Sequence, residues 1–356
     1  MQEYFKNKKV LITGHTGFKG SWLSLWMSML GAEVHGMSIS IPTDPSHFEL
    51  LSLNIKNDIR IDIYNSKKIA DIISKIKPDY VFHLAAQPLV ALSYQNPLET
   101  FQTNVIGTAN LLDALRKLKN ECIAVMITSD KSYDNLEISR GYHENDKLGG
   151  SDPYSGSKGA AELVINSYTK SFFSDSNIRI GVGRAGNVIG GGDWAKNRII
   201  PDAIRSIENE QILKIRSPNA TRPWQHVLEP LSGYISLAID LKKSNDNNGQ
   251  AFNFGPSFKD DYTVQDVLVE LKKTLTKLNW VDEKTNEFKE STLLKLNCNK
   301  ALNVLDWTST LNFKKTINFT SLWYLEYLNK NKKIKSLSEN QILEFDCVIA
   351  QFHSRR

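Results

Sequence analysis

The sequence predicts an α/β fold: a doubly wound parallel sheet with a smaller, mainly C-terminal α/β lobe. Three observations carry this expectation. Short β-branched runs alternate with helical patterns through the first half of the 356 residues, the rhythm of a parallel sheet covered on both faces. A glycine triplet falls where the first run meets the first helix. After about Ile189 the pattern changes, and Pro201, Pro218, Pro223 and Pro230 interrupt short segments.

The elements follow in order. "KVLITG" (Lys9–Gly14) reads as a buried strand ending at a glycine, and "GFKGSWLSLWMSMLGA" as an apolar helix closed by Gly31. "EVHGMS" reads as the second strand, and "NDIRI" as a further strand-like run. Ser66–Pro78 has the period of an amphipathic helix with Ser66 as N-cap and a proline stop. "DYVFHLAAQ" is a strand, residues 97–119 a long helix, and "CIAVMITSD" another strand. Pro153–Phe173 reads as a helix, and "IRIGVGRAGNVIG" as a strand running into a loop. Thr263–Leu278 is a later amphipathic helix with a Thr cap.

Composition narrows the class. At 41% hydrophobic the chain can bury a full core, so global disorder is not expected. The net charge is a modest +5, and the one basic run, Lys330–Lys335, reads as a solvated surface segment rather than a nucleic-acid arm. Cys122, Cys298 and Cys347 lie far apart with no metal-binding spacing, which suits a reducing cytoplasm and predicts no metal. The N-terminus shows no secretory h-region. No apolar run approaches the ~18 residues of a membrane span.

"ITGHTGFKG" places glycines at 14, 17 and 20 between strand and helix. Gly14 turns the chain, Gly17 lets the backbone approach a pyrophosphate, and Gly20 lets helix and strand pack closely. The helix N-terminus offers free N–H groups and a positive dipole to phosphates. These features predict a dinucleotide site. The end of the second strand, "EVHGMSISIPTD", carries neither the acid that marks NAD nor a Lys or Arg for a 2′-phosphate. NAD is read because nothing basic is present. Asp62 either caps a turn or reaches the adenine ring. Residues 1–188, with returns from about 225–255, are assigned to the dinucleotide-binding domain. The substrate lobe is assigned to residues 189–224 and 256–356.

"YSGSK" sets Tyr154 and Lys158 at i and i+4, on one helix face. A lysine cation near a phenol lowers the tyrosine pKa. From its ordinary value of about 10, such a shift lets Tyr154 act as a base on a sugar hydroxyl.

The glycine motif, "HLAAQ", "TSD" and YxxxK, in this order, resemble the extended short-chain dehydrogenase/reductase family with its Rossmann-type sheet. "GHTGFKGSWLSLW", "TSDKSYDN", "GNVIGGGDWAKNRIIPD" and "SPNATRPWQHVLEPLSGY" narrow the resemblance to CDP-glucose 4,6-dehydratases. The resemblance implies a redox-neutral cycle with bound NAD: oxidation at C4, loss of water across C5–C6, and hydride return to C6. It implies that Ser129 binds the 4-oxygen and that Asp130 is the acid for the 6-hydroxyl, which needs a raised pKa. Lys131 becomes either the C5 base, which needs a lowered pKa, or an enolate stabiliser.

It further implies that Thr16, Phe18, Ile63, Ala85, Ala86, Gln87, Asn104 and Thr128 line the cofactor. Asn187, Arg222 and, more weakly, Arg198 would meet the substrate diphosphate, where a guanidinium fits by bidentate geometry. Ala91 departs from the pattern, which leads one to expect an Arg there. His83 reads as a packed strand residue; Trp194, Trp224 and His226 either shape the pocket or belong to the core. Implied partners are CDP-glucose and a second copy of the chain, paired through the helices at 97–119 and 153–173, with no nucleic acid or membrane. The alternatives are a same-family 4-epimerase or reductase, a 4,6-dehydratase for another nucleotide hexose, or a non-catalytic NAD-binding protein.

Overall fold

The computed structural model describes residues 1–256, 261–283, 294–330 and 333–354. Its centre is a sheet of seven parallel strands: β1 (Lys9–Thr13), β2 (Glu33–Ser38), β3 (Asn57–Arg60), β4 (Tyr80–His83), β5 (Cys122–Ile127), β6 (Ile178–Ala185) and β7 (Ala251–Phe254). They lie in the order β7-β6-β5-β4-β1-β2-β3. The chain winds outward from β1 to β3, then returns to the other side of β1 with β4. The order therefore reverses between β1 and β4, and an open crevice forms at their carboxyl ends.

The main helices are α1 (Phe18–Met29), α2 (Ser66–Ile76), α3 (Gly107–Leu115), α4 (Pro153–Tyr168), α5 (Leu228–Lys243), α6 (Phe313–Leu328) and α7 (Ile334–Ser354). Strand β5 shows how they divide. Ile123, Val125 and Ile127 pack into one core, with Trp22 and Trp26 of α1, Leu237 of α5, Trp323 of α6 and Phe345 of α7. Cys122, Ala124 and Met126 pack into the other, with Ile69 and Ile73 of α2, Leu111 of α3 and Ile165 of α4. Period-2 alternation thus buries both faces.

Several boundaries differ from expectation. Asn65, not Ser66, caps α2; its side chain accepts from the Lys68 amide at 3.1 Å. The long helix expected at 97–119 runs as Pro97–Phe101, a π-turn at Gln102–Ile106, and then α3 to Leu115. The helix expected at 153–173 ends its α-form at Tyr168 and continues as a π-turn to Phe173. Thr263 caps Val264–Lys272 through a full capping box with Asp266. Of the basic run at 330–335, residues 331 and 332 lie outside the described residues, Lys333 is exposed and Ile334 is buried.

Beyond β6 the chain builds short strand pairs, Leu213–Ile215 with Trp280–Asp282 and Thr221–Arg222 with Tyr262–Thr263. It returns through α5 and β7 to the main sheet. Helices α6 and α7, which the sequence reading did not single out, then close over the α1 face, with Trp26 meeting Phe345 edge-on. Among the described residues, no helix is long and apolar enough to cross a membrane.

Candidate active site

The glycine loop sits between β1 and α1. Gly14 has φ +73°, and a Cβ there would lie 2.8 Å from the Ala85 amide nitrogen, so only glycine fits. A Cβ on Gly20 would lie 2.1 Å from the Gly14 carbonyl oxygen; its absence seats α1 directly on the turn. Gly17 caps α1 in extended backbone, and a Cβ there would meet only the Gly14 oxygen, at 3.3 Å. The loop therefore leaves room in front of the first helical amides, which lack intrahelical partners.

His15 fills the space beside β2. It is fully buried, with Nδ1 2.8 Å from Ser38 Oγ and Nε2 2.9 Å from Asp58 Oδ1. Thr16 donates to the Ser40 carbonyl at 2.7 Å. An acid does stand near the second-strand end, but it comes from β3, where Asp58 also pairs with Arg60 at 2.7 Å. A reading confined to the second strand missed both. Asp62 is exposed and accepts the Tyr64 amide at 2.9 Å, the turn role of the two left open; Ile63 beside it is buried.

Across the crevice, the loop after β4 carries Ala85, Ala86 and Gln87. Asn104 projects from the π-turn, and its side chain receives the Gln87 amide at 2.8 Å and donates to Ser157 Oγ at 2.8 Å. One buried amide thus ties the β4 loop to α4. His83 is packed between the Thr13 and Thr108 hydroxyls, at 2.7 and 3.1 Å. Burial pushes its pKa down to about 3.

Strand β5 delivers Thr128, Ser129 and Asp130 to the same rim, all buried. Ser129 Oγ donates to Asp130 Oδ1 at 2.9 Å and accepts the Lys131 amide at 3.2 Å, capping a single 3₁₀ turn. Lys131 is half-buried. On α4, capped by Asp152 with Pro153 in its first turn, Tyr154 and Lys158 are 8% and 6% exposed. The Tyr154 hydroxyl lies near enough to Ser129 for that side chain to lower its pKa. The structure thus brings Ser129, Asp130, Tyr154 and Lys158 into one cluster.

The electrostatics differ from expectation at Tyr154. Burial pushes the phenol up to about 12; the Ser129 contact lowers it, Asp130 raises it and Arg198 lowers it. Lys158 is not among the groups that dominate. Its own ammonium is pushed down to about 8 by burial, against Glu162, and among the described residues it has no hydrogen-bond partner.

Beneath this cluster lies a network the sequence reading did not find. Glu162 of α4 accepts from Thr128 at 2.6 Å and pairs with Arg184 of β6 at 2.5 Å, both partners 4% exposed. Arg184 also donates to the Tyr133 hydroxyl at 2.6 Å. No local motif signals such a pair.

On the substrate side the three candidates part company. Arg198 donates to Asp193 at 2.9 Å and lies close enough to Tyr154 and Lys19 for each to feel its charge. Asn187 is exposed just past β6. Arg222 is half-buried in its two-stranded pair and donates to the Thr221 carbonyl at 2.8 Å. Ala91 is exposed on the helix Val90–Gln95. Trp194, Trp224 and His226 are core. Lys19, passed over between the glycines, turns into the crevice and donates to the Tyr234 hydroxyl at 3.4 Å.

Comparison with known proteins bears on this geometry. Residues 11–320 match the family model described as GDP-mannose 4,6 dehydratase. A CDP-glucose 4,6-dehydratase of Salmonella typhimurium is 47% identical over 335 residues, covering 92% of this chain and 93% of the relative. A CDP-paratose 2-epimerase of Salmonella typhi is 27% identical, covering 86% and 96%. Among solved structures, an epimerase of Methanothermobacter thermautotrophicus superposes with a TM-score of 0.79 at 23% identity, covering 93% and 96%. A UDP-glucuronic acid 4-epimerase of Bacillus cereus, solved with UDP-glucuronic acid and NAD, superposes with a TM-score of 0.76 at 22% identity, covering 90% and 99%. These structures share the fold.

Proposed function

Since the chain belongs to the GDP-mannose 4,6-dehydratase family of nucleotide-sugar enzymes, we propose that it is an NAD-dependent CDP-glucose 4,6-dehydratase. It would convert CDP-glucose to CDP-4-keto-6-deoxyglucose and water. The observation that carries this reading is the Ser129–Asp130 pair set against Tyr154 on one buried rim. A 4-epimerase or reductase needs Tyr154 and Lys158 but has no use for a second acid. The relative that is 47% identical over nearly the whole chain supports the cytidine nucleotide and the glucose.

The residues fit NAD. The space before Gly17 admits a pyrophosphate, and the unpartnered Lys158 ammonium suits ribose hydroxyls. Thr16, Phe18, Ile63, Ala85, Ala86, Gln87, Asn104 and Thr128 complete the lining in this reading, with Asp62 at its exposed edge. NAD held there would supply a reversible hydride acceptor for the sugar.

The chain's own residues do the rest. Tyr154 takes the proton of the 4-hydroxyl while Ser129 holds the 4-oxygen. Asp130 gives a proton to the departing 6-hydroxyl. Lys131 takes the C5 proton or steadies the enolate. Arg222 and Asn187 hold the diphosphate, and Arg198, beside Tyr154, holds the sugar end. Residues 1–188 with the 225–255 return carry the cofactor, and 189–224 with 256–356 the substrate; the shared core of the α1 face couples them. Exposed Leu98, Phe101, Leu163 and Phe172 on the 97–119 and 153–173 segments support a homodimer. A cytoplasmic deoxysugar enzyme serving cell-surface polysaccharide fits this product.

The test is direct. The purified protein is incubated with CDP-glucose and, separately, with UDP-, dTDP- and GDP-hexoses, and the sugar nucleotide mass is followed. Loss of one water from CDP-glucose without net cofactor reduction is expected. An unchanged mass with altered stereochemistry would replace the reading with an epimerase.

A further inference from the structure

Asp130 and Lys131 are carried by a single 3₁₀ turn, Asp130–Ser132. The Ser132 amide closes it on the Ser129 carbonyl at 3.1 Å, and the Ser132 hydroxyl donates to the same oxygen at 2.7 Å. So short a turn has few hydrogen bonds of its own. Its orientation is set by whatever holds the residues on either side, Thr128 and Tyr133.

Both rest on one buried ion pair. Ahead of the turn, Glu162 Oε1 accepts the Thr128 hydroxyl at 2.6 Å. The two oxygens of that carboxylate also accept Arg184 Nε, at 2.8 and 2.9 Å. Beyond the turn, Arg184 Nη1 donates to the Tyr133 hydroxyl at 2.6 Å, and the guanidinium carbon lies 4.7 Å from the Tyr133 ring centroid. The Tyr133 hydroxyl donates in turn to Asn253 Oδ1 at 2.8 Å. Asn253 of β7 is fully buried and donates to the Tyr142 and Asn297 carbonyls, at 2.8 and 3.1 Å. Tyr133 thus has both a donor and an acceptor in fixed places. It is 1% exposed, so it is walled off from the crevice and from a substrate lying there.

Joining α4 to β6 does not require charge, since well-packed apolar side chains of similar volume often serve as well as a buried ion pair. A guanidinium adds what they lack, a planar fork with donors in fixed directions. We propose that Glu162, Arg184 and Tyr133 are positioning residues for the elimination. They hold the 129–131 turn from both sides, so that Asp130 and Lys131 stand against the sugar whose 4-hydroxyl Tyr154 deprotonates. This rests on the dehydration reading above. Oxidation at C4 draws chiefly on Tyr154 and Lys158, whose helix α4 has its own cap in Asp152. Elimination draws on the turn. Loosening the turn on either side therefore slows loss of water more than it slows oxidation.

The experiment compares NAD-loaded wild type, Y133F, T128V and Y142F on CDP-glucose. Y133F removes the hydroxyl beyond the turn and keeps the ring; T128V removes the one ahead of it and keeps the shape. Y142F is the control. Its ring stacks on Tyr133 at 5.0 Å, but its hydroxyl meets Asn135 and the Leu136 amide rather than the ion pair. Stopped-flow absorbance follows cofactor reduction, and the mass of the sugar nucleotide follows water loss. In Y133F and T128V water loss slows by at least ~10-fold, as small misplacements of a reacting group do. Cofactor reduction slows less, so reduced cofactor accumulates, and kcat falls while KM holds. In Y142F the Tm falls and the ratio of the two steps stays that of wild type. Circular dichroism checks folding, and Y133F and T128V each carry the test if the other does not fold. Loss of the fold in both would assign the two hydroxyls to stability and overturn the inference. Equal slowing of both steps, a raised KM at unchanged kcat, or the same change of ratio in Y142F would also overturn it. Wild type that releases no water would sink the dehydratase reading and this inference with it; an active wild type with an unchanged ratio in either variant would sink the inference alone.

Discussion

Asp130 is the residue on which the proposed chemistry turns. It is 3% exposed and bonded by Ser129, which in turn meets Tyr154. In Asp130→Asn the amide keeps the size and a hydrogen bond but supplies no carboxylic proton. Cofactor binding and C4 oxidation should survive, while water loss slows by about 10²-fold or more. Stopped-flow absorbance of the reduced cofactor checks this, and unchanged turnover would remove Asp130 from the role. The motif around it was legible because its members are neighbours in sequence: Ser129 with Asp130, Tyr154 with Lys158. Lys19 was not, since its partner Tyr234 lies 215 residues away. The expected lowering of Tyr154 failed for the same kind of reason. Burial of the phenol, which spacing does not report, outweighs the neighbouring groups and raises it to about 12.

At the scale of elements, helices were legible by periodicity and their irregularities were not. The π-turn at Gln102–Ile106 sets Asn104 against the β4 loop and α4, and extra residues of this kind often mark functional positions. The Glu162–Arg184 pair links α4 to β6 and, through Thr128, fixes the end of β5. Glu162→Gln leaves a buried guanidinium without its counter-charge. It should destabilise the fold by about 3–5 kcal/mol, as removing one partner of a buried pair does. Urea unfolding measures this, and a loss within the range of a surface pair would show the network to be incidental. Helices α6 and α7 were missed because their apolar faces are completed by Trp22 and Trp26 of α1, some three hundred residues earlier.

For the whole molecule, buried histidines set the response to acid. His47, His83 and His226 are fully buried, and burial pushes each down to about 3. Unfolded, they take up protons near their ordinary 6.5, so the unfolded state binds more protons as pH falls from about 6.5 towards 3, and stability is lost across that window. Glu229 and Asp346 act the other way: burial raises them to about 7 and about 6, so their contribution grows as pH falls through those values. Three bases over a wider window outweigh two acids. The Tm should therefore drop steadily from neutral pH into the acid range, most steeply below about pH 4.5, where Glu229 no longer opposes. Differential scanning fluorimetry checks this, and a flat profile would contradict it.

The sequence by itself determined the parallel α/β sheet, the glycine turn at its first junction, and the order of Ser129, Asp130, Tyr154 and Lys158. Each is written in alternation, in a left-handed turn that favours glycine, or in local spacing along the chain. Only the tertiary structure decided the rest. It brought Lys19 and Arg198 towards Asp130 and Tyr154, took the acid beside His15 from β3, turned Asp62 into its own loop, and buried Glu162 against Arg184. These depend on which elements the sheet order makes neighbours and on how much water they exclude, and neither quantity is local in the chain.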